Sequence, residues 1–320
     1  MCARAGAVAL GLSLAACGAE TGSVAALDGW AGADHARALD AYRNQCAALD
    51  RPCPSDTGDA RTFWEEAFVP MVADGADAAL VTGYYEPVLA ASVRRTERFS
   101  VPLHAMPDEA DALSATRAEI EAGALEPGGE VLYWLADPVD AFFLHVQGSG
   151  RLSLRDGREV RVGYAGRNLH PYRSIGRIAA RRGLLPAEGM TADRLKRWLR
   201  TDPGRGRALM AENPAYIFFR TVESLEPDEG PIGALGLPLT PGVSVALDPA
   251  HYPPGSVVWI EADGAAGPIR RLMLAQDAGS AIKGPARADM FFGTGAEAGR
   301  RAGDTVARGR IVLLSPGGET

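Results

Sequence analysis

Several kinds of enzyme chemistry need residues that this 320-residue sequence lacks. Its five histidines are widely scattered and no His-Glu-x-x-His segment occurs, so the pattern of a zinc protease is absent. No Gly-x-Ser-x-Gly segment occurs either, which removes the nucleophile elbow of the α/β-hydrolases. The four cysteines are too dispersed for a zinc site of the usual spacing. We therefore expect no metal ion and no cofactor.

Positive charge is also in short supply. Lys and Arg number 33 against 40 Asp and Glu, which gives a formal net charge of −7. A nucleic-acid partner is not expected, because such binding needs a basic surface that neutralises phosphates. Glycine and proline, in contrast, are abundant at 38 and 22 residues. This abundance favours turns and short strands over long helices.

The N-terminus has no apolar run of the roughly 20 residues that a membrane-spanning helix requires. Residues 1–16 nevertheless have the form of an export signal, which ends Leu14-Ala15-Ala16 before Cys17. This ending resembles the lipobox of bacterial lipoproteins, in which the cysteine becomes the lipidated first residue. The expected location is then the periplasmic face of the outer membrane, with a lipid anchor on Cys17. An ordinary secretory signal that is cleaved nearby is the alternative.

Export also bears on the remaining cysteines. Cys46 and Cys53 are seven residues apart with Pro52 between them, and an exported chain can form such a local disulfide. Two free thiols are the alternative. Residues 17–27, between the anchor and the first helical pattern, indicate a tether.

Helix starts are recognisable at several positions. A helical pattern begins after Asp59, Thr116 has the spacing of a capping box, and Thr191 and Asp202-Pro203 have the features of N-termini. Apolar runs such as 141–147 lie between these helices. The middle of the chain is therefore of mixed character.

Strand patterns lie on both sides of this middle. From about 214 onward the sequence is mostly short apolar segments separated by Gly and Pro turns, which favours a barrel. We therefore predict one barrel domain, formed by residues 28–91 together with 214–320, and an inserted β-rich domain at 92–213. A groove between the two would suit a polymeric ligand.

Acid–base chemistry by carboxylates remains after these exclusions. Segment 276–295 carries two Asp, one Lys and one Arg on a glycine-rich backbone bounded by apolar runs. Such a pattern is typical of a cleft in which a loop holds charge against a sheet. Asp289 precedes Met290-Phe291-Phe292, which can desolvate its carboxyl and raise the pKa towards that of a proton donor.

Other carboxylates compete with Asp289. Asp248 precedes Pro249, a pair that favours an Asx turn, and Asp277 before Ala-Gly could equally orient its own turn. Glu86 closes an early strand beside a proline. The residues alone favour Asp289 without excluding the others.

A set of spaced blocks gives the sequence a family resemblance. In chain order they are Thr82-Gly83-Tyr84-Tyr85-Glu86-Pro87, Val146-Gln147-Gly148-Ser149-Gly150-Arg151, Val162-Gly163-Tyr164-Ala165-Gly166-Arg167-Asn168, Asn213-Pro214, Gly236-Leu237-Pro238-Leu239-Thr240-Pro241-Gly242, Asp248-Pro249, and Asp277-x-Gly-x-Ala-Ile-Lys-Gly. Together they closely resemble the membrane-bound lytic murein transglycosylase A family, from about residue 60 to 315. The last part looks like the three-aspartate domain. Ser280 departs from the pattern, since a second Gly is expected there.

The resemblance implies a fold and a reaction. The fold is mainly β, a double-psi β-barrel with an inserted second β-rich domain, plus N-terminal and peripheral helices. The reaction is that of a lyase, which cuts the β-1,4 bond between N-acetylmuramic acid and N-acetylglucosamine without water and leaves a 1,6-anhydro sugar. Its single catalytic aspartate matches Asp289, so that Asp277 and Asp248 become supports of the active site.

The expected partner is the glycan strand of peptidoglycan. Substrate binding is assigned to side chains on either side of the groove, Tyr84, Glu86, Gln147, Ser149, Tyr164, Asn168 and Lys283, and a turn-stabilising role is the alternative for each. Two competing functions stay open. One is a two-carboxylate glycoside hydrolase on the same barrel, and the other is a non-catalytic peptidoglycan-binding lipoprotein. The residues leave exo or endo action open.

Overall fold

The computed structural model describes residues 18–19, 22–49, 51, 54, 58–72, 75–126, 128–186, 188 and 190–317. The predicted signal peptide and the predicted lipidation site, Cys17, lie outside these residues, as does Cys53. Within the described ranges, every helix is too short or too polar to cross a bilayer.

Strands dominate the described part of the chain. They are β1 (Gly18–Ala19), β2 (Phe68–Val72), β3 (Ala79–Glu86), β4 (Val88–Ser92), β5 (Val101–His104), β6 (Val131–Leu135), β7 (Ser149–Leu154), β8 (Glu159–Arg167), β9 (Ile217–Val222), β10 (Ser244–Ala246), β11 (Val257–Gly264), β12 (Gly267–Asp277), β13 (Arg287–Thr294) and β14 (Val306–Pro316). The α-helices are α1 (His35–Ala48), α2 (Ala60–Ala67), α3 (Arg117–Glu121), α4 (Pro138–Gln147), α5 (Ile175–Arg181), α6 (Ala192–Thr201), α7 (Pro203–Ala211) and α8 (Gly295–Asp304).

The helices begin where side chains can satisfy their first N–H groups. Asp59 caps α2 by accepting from the Thr62 amide, and Thr116 forms the full capping box with Glu119 at the start of α3. Asp202 caps α7 ahead of a proline at its first position. The apolar run 141–147 lies in α4, whose start is fixed by the similar pair Asp137-Pro138.

A closed barrel forms the main body. Six strands pair in the order β14-β11-β12-β10-β13-β3, and β3 pairs back to β14. Two of the pairings, β10 with β12 and β3 with β13, are parallel. Closure removes the free edges that an open sheet would expose. The predicted class is thus confirmed, a mainly β double-psi barrel that carries a second sheet and several helices.

Apolar side chains fill the barrel interior, and each barrel strand supplies at least one. They include Val81, Val245, Val258, Met273, Ala288 and Ile311, all fully buried. Side chains alternate between the two faces of a strand, so the residues next to these point outward. Thr82, next to Val81, and Asp289, next to Ala288, belong to that outward set.

The second sheet has six strands in the order β5-β6-β4-β7-β8-β9. Strands β4 and β9 pair with β7 and β8 respectively, inside this sheet. Residues 88–91 and 217–222 therefore belong with the insert, although the sequence placed them with the barrel. The chain passes from one sheet to the other at Pro87, between β3 and β4, and an apolar pattern cannot show such a change of sheet.

The predicted tether is also shorter than expected. Val24 and Leu27 are buried in a core outside the barrel, which Trp30 and Trp64 share. The ring centroids of Trp30 and Trp259 of β11 are 5.1 Å apart. This packing stabilises residues 24–27 against the barrel, because burial of aliphatic side chains is favourable. The segment is therefore part of the fold.

Cys46 of α1 is in a disulfide bond, so it is not a free thiol. Its expected partner, Cys53, lies outside the described residues.

Candidate active site

The parallel pairing of β3 with β13 brings Thr82 beside Asp289. The two residues are direct partners in the strand register, and the Thr82 hydroxyl donates a hydrogen bond to Asp289 Oδ1. Arg287 Nη2 in turn donates to the Thr82 oxygen over 2.7 Å. The Thr82 proton is thereby directed at the carboxyl. Oδ2 of Asp289 makes no hydrogen bond with any described residue.

Burial makes this carboxyl a weak acid. Desolvation raises the pKa of Asp289 from 3.8 to about 6, against the lowering effects of Arg287 and of the Thr82 hydrogen bond. The nearby charge of Asp277 adds a smaller rise. The Asp289 side chain still keeps part of its surface in solvent. It therefore combines a pKa near neutrality with access for a ligand.

One of the three predicted aromatic and aliphatic neighbours shares a face with Asp289. Met290 lies in the barrel interior, and Phe291 lies on the outer face, where its ring centroid is 5.3 Å from that of Tyr84. The ring of Phe292 would meet a Cβ on Gly83, and Gly83 faces away from Thr82 because adjacent residues of a strand alternate. Phe291 is therefore the member of the triplet that lies on the Asp289 side.

Asp277 ends β12, and both of its carboxylate oxygens accept hydrogen bonds. Tyr84 Oη donates to Oδ2 at 2.6 Å, while the amides of Ala234 and Ala278 donate to Oδ1 at 3.0 and 2.9 Å. Burial raises the pKa of Asp277, and these three hydrogen bonds oppose the rise. Tyr84 is thus a bridge between Asp277 and Phe291.

Asp248 fixes the loop between β12 and β13. The Gly284 amide donates to its Oδ2 at 2.7 Å, and Lys283 Nζ lies 3.5 Å from Oδ1. The Gly284 hydrogen bond, with smaller help from Lys283, lowers the pKa of this carboxyl. The Lys283 side chain remains 63% exposed. This contact gives Lys283 a structural partner that the sequence did not reveal.

Helices of the insert lie next to strand β3, which carries Thr82, and next to Arg287. The Tyr85 amide donates to Gln147 Oε1 of α4 at 3.1 Å, and Lys196 Nζ of α6 donates to the Tyr85 hydroxyl at 3.3 Å. Arg177 of α5 is close enough to contribute to the lowered pKa of Arg287, after burial as the main cause. The Asp289 region therefore lies near helices of the insert.

Comparison with known proteins identifies the arrangement. Residues 80–220 match the MltA specific insert domain, and residues 243–315 match the 3D domain. Membrane-bound lytic murein transglycosylase A of Escherichia coli K12 is 36% identical over 273 residues, which cover 81% of this chain and 72% of that protein. The chain belongs to the membrane-bound lytic murein transglycosylase A family.

Solved structures of the family have the same fold. A membrane-bound lytic murein transglycosylase from Agrobacterium tumefaciens is 29% identical with a TM-score of 0.82, over 92% of this chain and 96% of that one. Escherichia coli MltA with bound chitohexaose is 30% identical with a TM-score of 0.74, over 90% of each chain. As a member of this family, the chain is an enzyme that acts on murein.

Two of the residues predicted to bind substrate are committed elsewhere. Glu86 is 1% exposed, and its Oε2 accepts from Arg151 Nε at 2.8 Å and from Thr294 Oγ1 at 2.7 Å. Asn168 donates to the carbonyls of Ala115 and Pro214 and accepts from the Tyr216 amide. Both are buried connectors, which favours the turn-stabilising alternative over sugar binding.

The other predicted residues stay accessible. Tyr164 on β8 is 52% exposed. Gln147 and Ser149, at the end of α4 and the start of β7, are partly exposed. Within this transglycosylase family member they remain candidates for glycan contact.

Sequence reasoning missed Thr82 and Arg287 as members of the site. Thr82 occurs in a block that carries the family resemblance, and Arg287 is the arginine of segment 276–295, but neither has a spacing that indicates contact with Asp289. Thr82 and Asp289 are 207 residues apart in sequence. The parallel β3–β13 pairing alone brings them together, and local patterns do not predict such pairings.

Proposed function

We propose that this enzyme cuts the β-1,4 bond between N-acetylmuramic acid and N-acetylglucosamine without water, with Asp289 as acid and then base. The main support is the state of the Asp289 carboxyl. Oδ1 accepts from Thr82, Oδ2 is free of hydrogen bonds to described residues, and burial raises the pKa to about 6. A protonated carboxyl with one available oxygen suits proton donation near neutral pH.

The reaction has two proton transfers through one group. Asp289 gives its proton to the glycosidic oxygen as the bond from that oxygen to C1 of N-acetylmuramic acid breaks. The 6-hydroxyl of the same sugar then forms a bond to C1 and loses its proton to the Asp289 carboxylate. The product is a 1,6-anhydro sugar and the carboxyl is regenerated. A tethered nucleophile can reach effective molarities of roughly 10⁵ M or more, which removes the need for water.

The surroundings favour this reaction over hydrolysis by two carboxylates. A hydrolase needs a second carboxylate that activates water or attacks the sugar. Both oxygens of Asp277 accept hydrogen bonds from Tyr84, Ala234 and Ala278, and Asp248 is held by Gly284 and Lys283. Asp277 and Asp248 then act as supports. The positive charge that develops on the sugar is stabilised by the substrate's acetamido oxygen or by the carboxylate of Asp277.

Purified sacculi test the proposal. We expect the parent protein to release muropeptides with anhydro ends, and Asp289→Asn to lose at least about a thousandfold in rate while it still binds sacculi, since the proton donor is removed. Asp248→Asn serves as the matched control and should keep measurable activity. Mass spectrometry of the products decides the outcome.

Three results would contradict parts of this proposal. Hydrated reducing ends would identify a hydrolase, and unchanged digestion by Asp289→Asn would remove Asp289 from its role. A parent protein that binds sacculi and releases nothing would be a wall-binding protein.

We further propose that glycan strands contact Tyr164, Gln147 and Ser149. The side-chain amide nitrogen of Gln147 makes no hydrogen bond with any described residue, because the contact with Tyr85 uses its oxygen. The chitohexaose complex of the Escherichia coli relative supports binding of a β-1,4-linked glycan.

Location is a separate proposal. We infer that Cys17 carries a lipid that anchors the enzyme to the periplasmic face of the outer membrane, on the basis of the Leu14-Ala15-Ala16-Cys17 segment. The names of the curated relatives, which include the word membrane-bound, agree with this. Cys17→Ala should move the protein from the outer-membrane fraction, and retention there would contradict the anchor.

A further inference from the structure

Four arginines border one cavity whose lining does not include Asp289. Arg37 of α1, Arg270 and Arg271 of β12, and Arg301 of α8 line a space of about 430 Å³. The remaining lining is apolar or small, apart from Asp34. This concentration of guanidinium groups stands out in a chain whose net charge is −7.

The cavity is separate from the proposed active site. Phe292 contributes to its wall, and the Phe292 ring occupies the space next to Gly83. Gly83 faces away from Thr82 because neighbouring residues of a strand point to opposite faces. Thr82 contacts Asp289, and the lining of the cavity includes none of Thr82, Asp289 and Asp277.

Three of the four guanidinium groups are available for a ligand. Arg270 is engaged by the carboxylates of Asp28 and Asp263 and by the carbonyls of Ala262 and Ile269. Among the described residues, the side chains of Arg37, Arg271 and Arg301 have no hydrogen bond or ion pair. Arg301 lies over the Phe292 ring, at 5.2 Å from its centroid, which restricts its position.

The one carboxylate in the lining cannot neutralise them. Asp34 is the N-cap of α1, and its Oδ1 accepts from the Arg37 amide at 3.2 Å. Its single negative charge faces the three guanidinium groups of Arg37, Arg271 and Arg301. The wall keeps an excess of positive charge, and guanidinium groups bind carboxylates and phosphates through paired hydrogen bonds.

We propose that this arginine cavity binds the peptide carboxylates of murein, as a second contact with the wall outside the glycan site. The inference rests on the proposed function, because it takes murein as the substrate. Murein carries carboxylates on the peptides attached to its glycan strands. The cavity has the size of a small-molecule site, which is about 300 to 1,000 Å³, so a peptide terminus can enter it.

The shape favours a peptide over a membrane surface. Phe292 lies beside the arginines and is partly exposed, so it can contact the aliphatic part of a peptide. A lipid bilayer attracts clustered basic side chains through a flat anionic surface. A concave wall of mixed apolar and cationic groups fits a chain end that inserts.

Binding of an inactive variant to sacculi tests this cavity independently of catalysis. The protein is the full mature chain with Asp289→Asn, so that the wall is not cut during the measurement. Arg271→Gln/Arg301→Gln removes two free guanidinium groups, and Arg197→Gln/Arg207→Gln on α6 and α7 is the matched control for loss of two exposed arginines. Each protein is tested on intact sacculi and on sacculi whose peptides have been removed by an amidase.

We expect Arg271→Gln/Arg301→Gln to bind intact sacculi about tenfold more weakly, since hydrogen bonds to charged groups are strong. Binding to peptide-free glycan should match the parent, and the control should match the parent on both. Arg271→Glu is a second variant, measured alone with its thermal unfolding midpoint, in case the double variant folds poorly.

Several outcomes would overturn the proposal. An equal loss of binding to intact and to peptide-free sacculi would show that the arginines do not bind the peptide. No loss of binding would show that they do not contact the wall. Arginine-dependent binding to phosphatidylglycerol vesicles without an effect on sacculi would assign the cavity to lipid phosphate. Failure of the proposed function would appear in the reaction products of the parent enzyme. Failure of the cavity proposal would appear only in this binding assay, which measures no products.

Discussion

Asp289 illustrates how position alone can give a carboxyl a pKa that suits the proposed proton donation. Burial raises its pKa to about 6, and the favourable contacts with Arg287 and Thr82 only partly offset this effect. A charged form that is disfavoured by burial must cost folding free energy at high pH. The same environment therefore affects both stability and activity.

Asp289→Asn should stabilise the protein at pH 8. The pKa is higher in the folded chain than its ordinary value of 3.8, so the parent loses stability as the pH rises from about 4 to above 6. The amide carries no charge and avoids this loss, with a gain of about 1 to 3 kcal/mol at pH 8. Urea unfolding should show a larger free energy of unfolding for Asp289→Asn than for the parent at pH 8, and little difference at pH 4. An equal change at both pH values would contradict the assigned cause.

Thr82→Val should shift the pH dependence of the reaction upward. The Thr82 hydrogen bond stabilises the carboxylate and lowers the pKa of Asp289, so its removal raises that pKa. Activity that needs the protonated acid then persists to higher pH. Digestion rates measured from pH 4 to 9 should show a higher midpoint for Thr82→Val than for Thr221→Val, a control in the second sheet. A lower or unchanged midpoint would exclude this contact as a pKa determinant.

Close contact between β3 and α8 depends on one glycine. A Cβ at Gly83 would lie 2.9 Å from the Ala302 backbone and 2.5 Å from the Phe292 ring. Gly83 does not have a positive φ, so its importance comes from space and not from backbone conformation. The absence of a side chain lets the helix lie directly on the strand that carries Thr82.

Gly83→Ala should destabilise the protein by about 1 to 3 kcal/mol, since an extra methyl group in a packed contact forces side chains or backbone to move. Gly303→Ala is the matched control. Gly303 lies in α8, and a Cβ added there would have no atom within 4 Å. Gly303→Ala should therefore stabilise the protein by about 0.5 to 1 kcal/mol through helix propensity. Thermal or urea unfolding measures both. A cost for Gly303→Ala equal to that of Gly83→Ala would contradict the close-packing argument.

A buried ion pair connects the two sheets. Glu86 at the end of β3 binds Arg151 of β7, and the Arg151 side chain is 11% exposed. Arg151 also donates to the carbonyls of Pro227 and Glu229, in the segment through which the chain returns from the second sheet. The barrel, the insert and the return segment thus meet at one guanidinium group.

Glu86→Gln should cost about 1 to 3 kcal/mol, because the buried Arg151 guanidinium loses its buried carboxylate and keeps only the half-exposed Glu159 as an ionic partner. Glu212→Gln is the control, since Glu212 pairs with Arg182 on the surface, and such pairs contribute about 0 to 1 kcal/mol. Urea unfolding at pH 7 compares them. Equal costs would show that the Glu86–Arg151 pair does not stabilise the junction.

Local sequence determined the elements and the chemistry of the candidate site. Capping residues such as Asp59, Thr116 and Asp202 fixed where helices begin, and glycine and proline fixed the turns. The carboxylates of segment 276–295 could be recognised because charge between apolar runs is unusual. These signals act over a few residues, so a single sequence contains them.

Tertiary structure decided which of these residues meet. The parallel register of β3 and β13 joins Thr82 to Asp289, and the change of sheet at Pro87 puts β4 with the insert. Burial then separated residues that look alike in sequence. Glu86 is buried against Arg151 and has a structural role. Asp289 has a raised pKa and one oxygen without a hydrogen bond to a described residue. Register, burial and pKa depend on contacts between residues up to about 200 positions apart, and no local pattern specifies them.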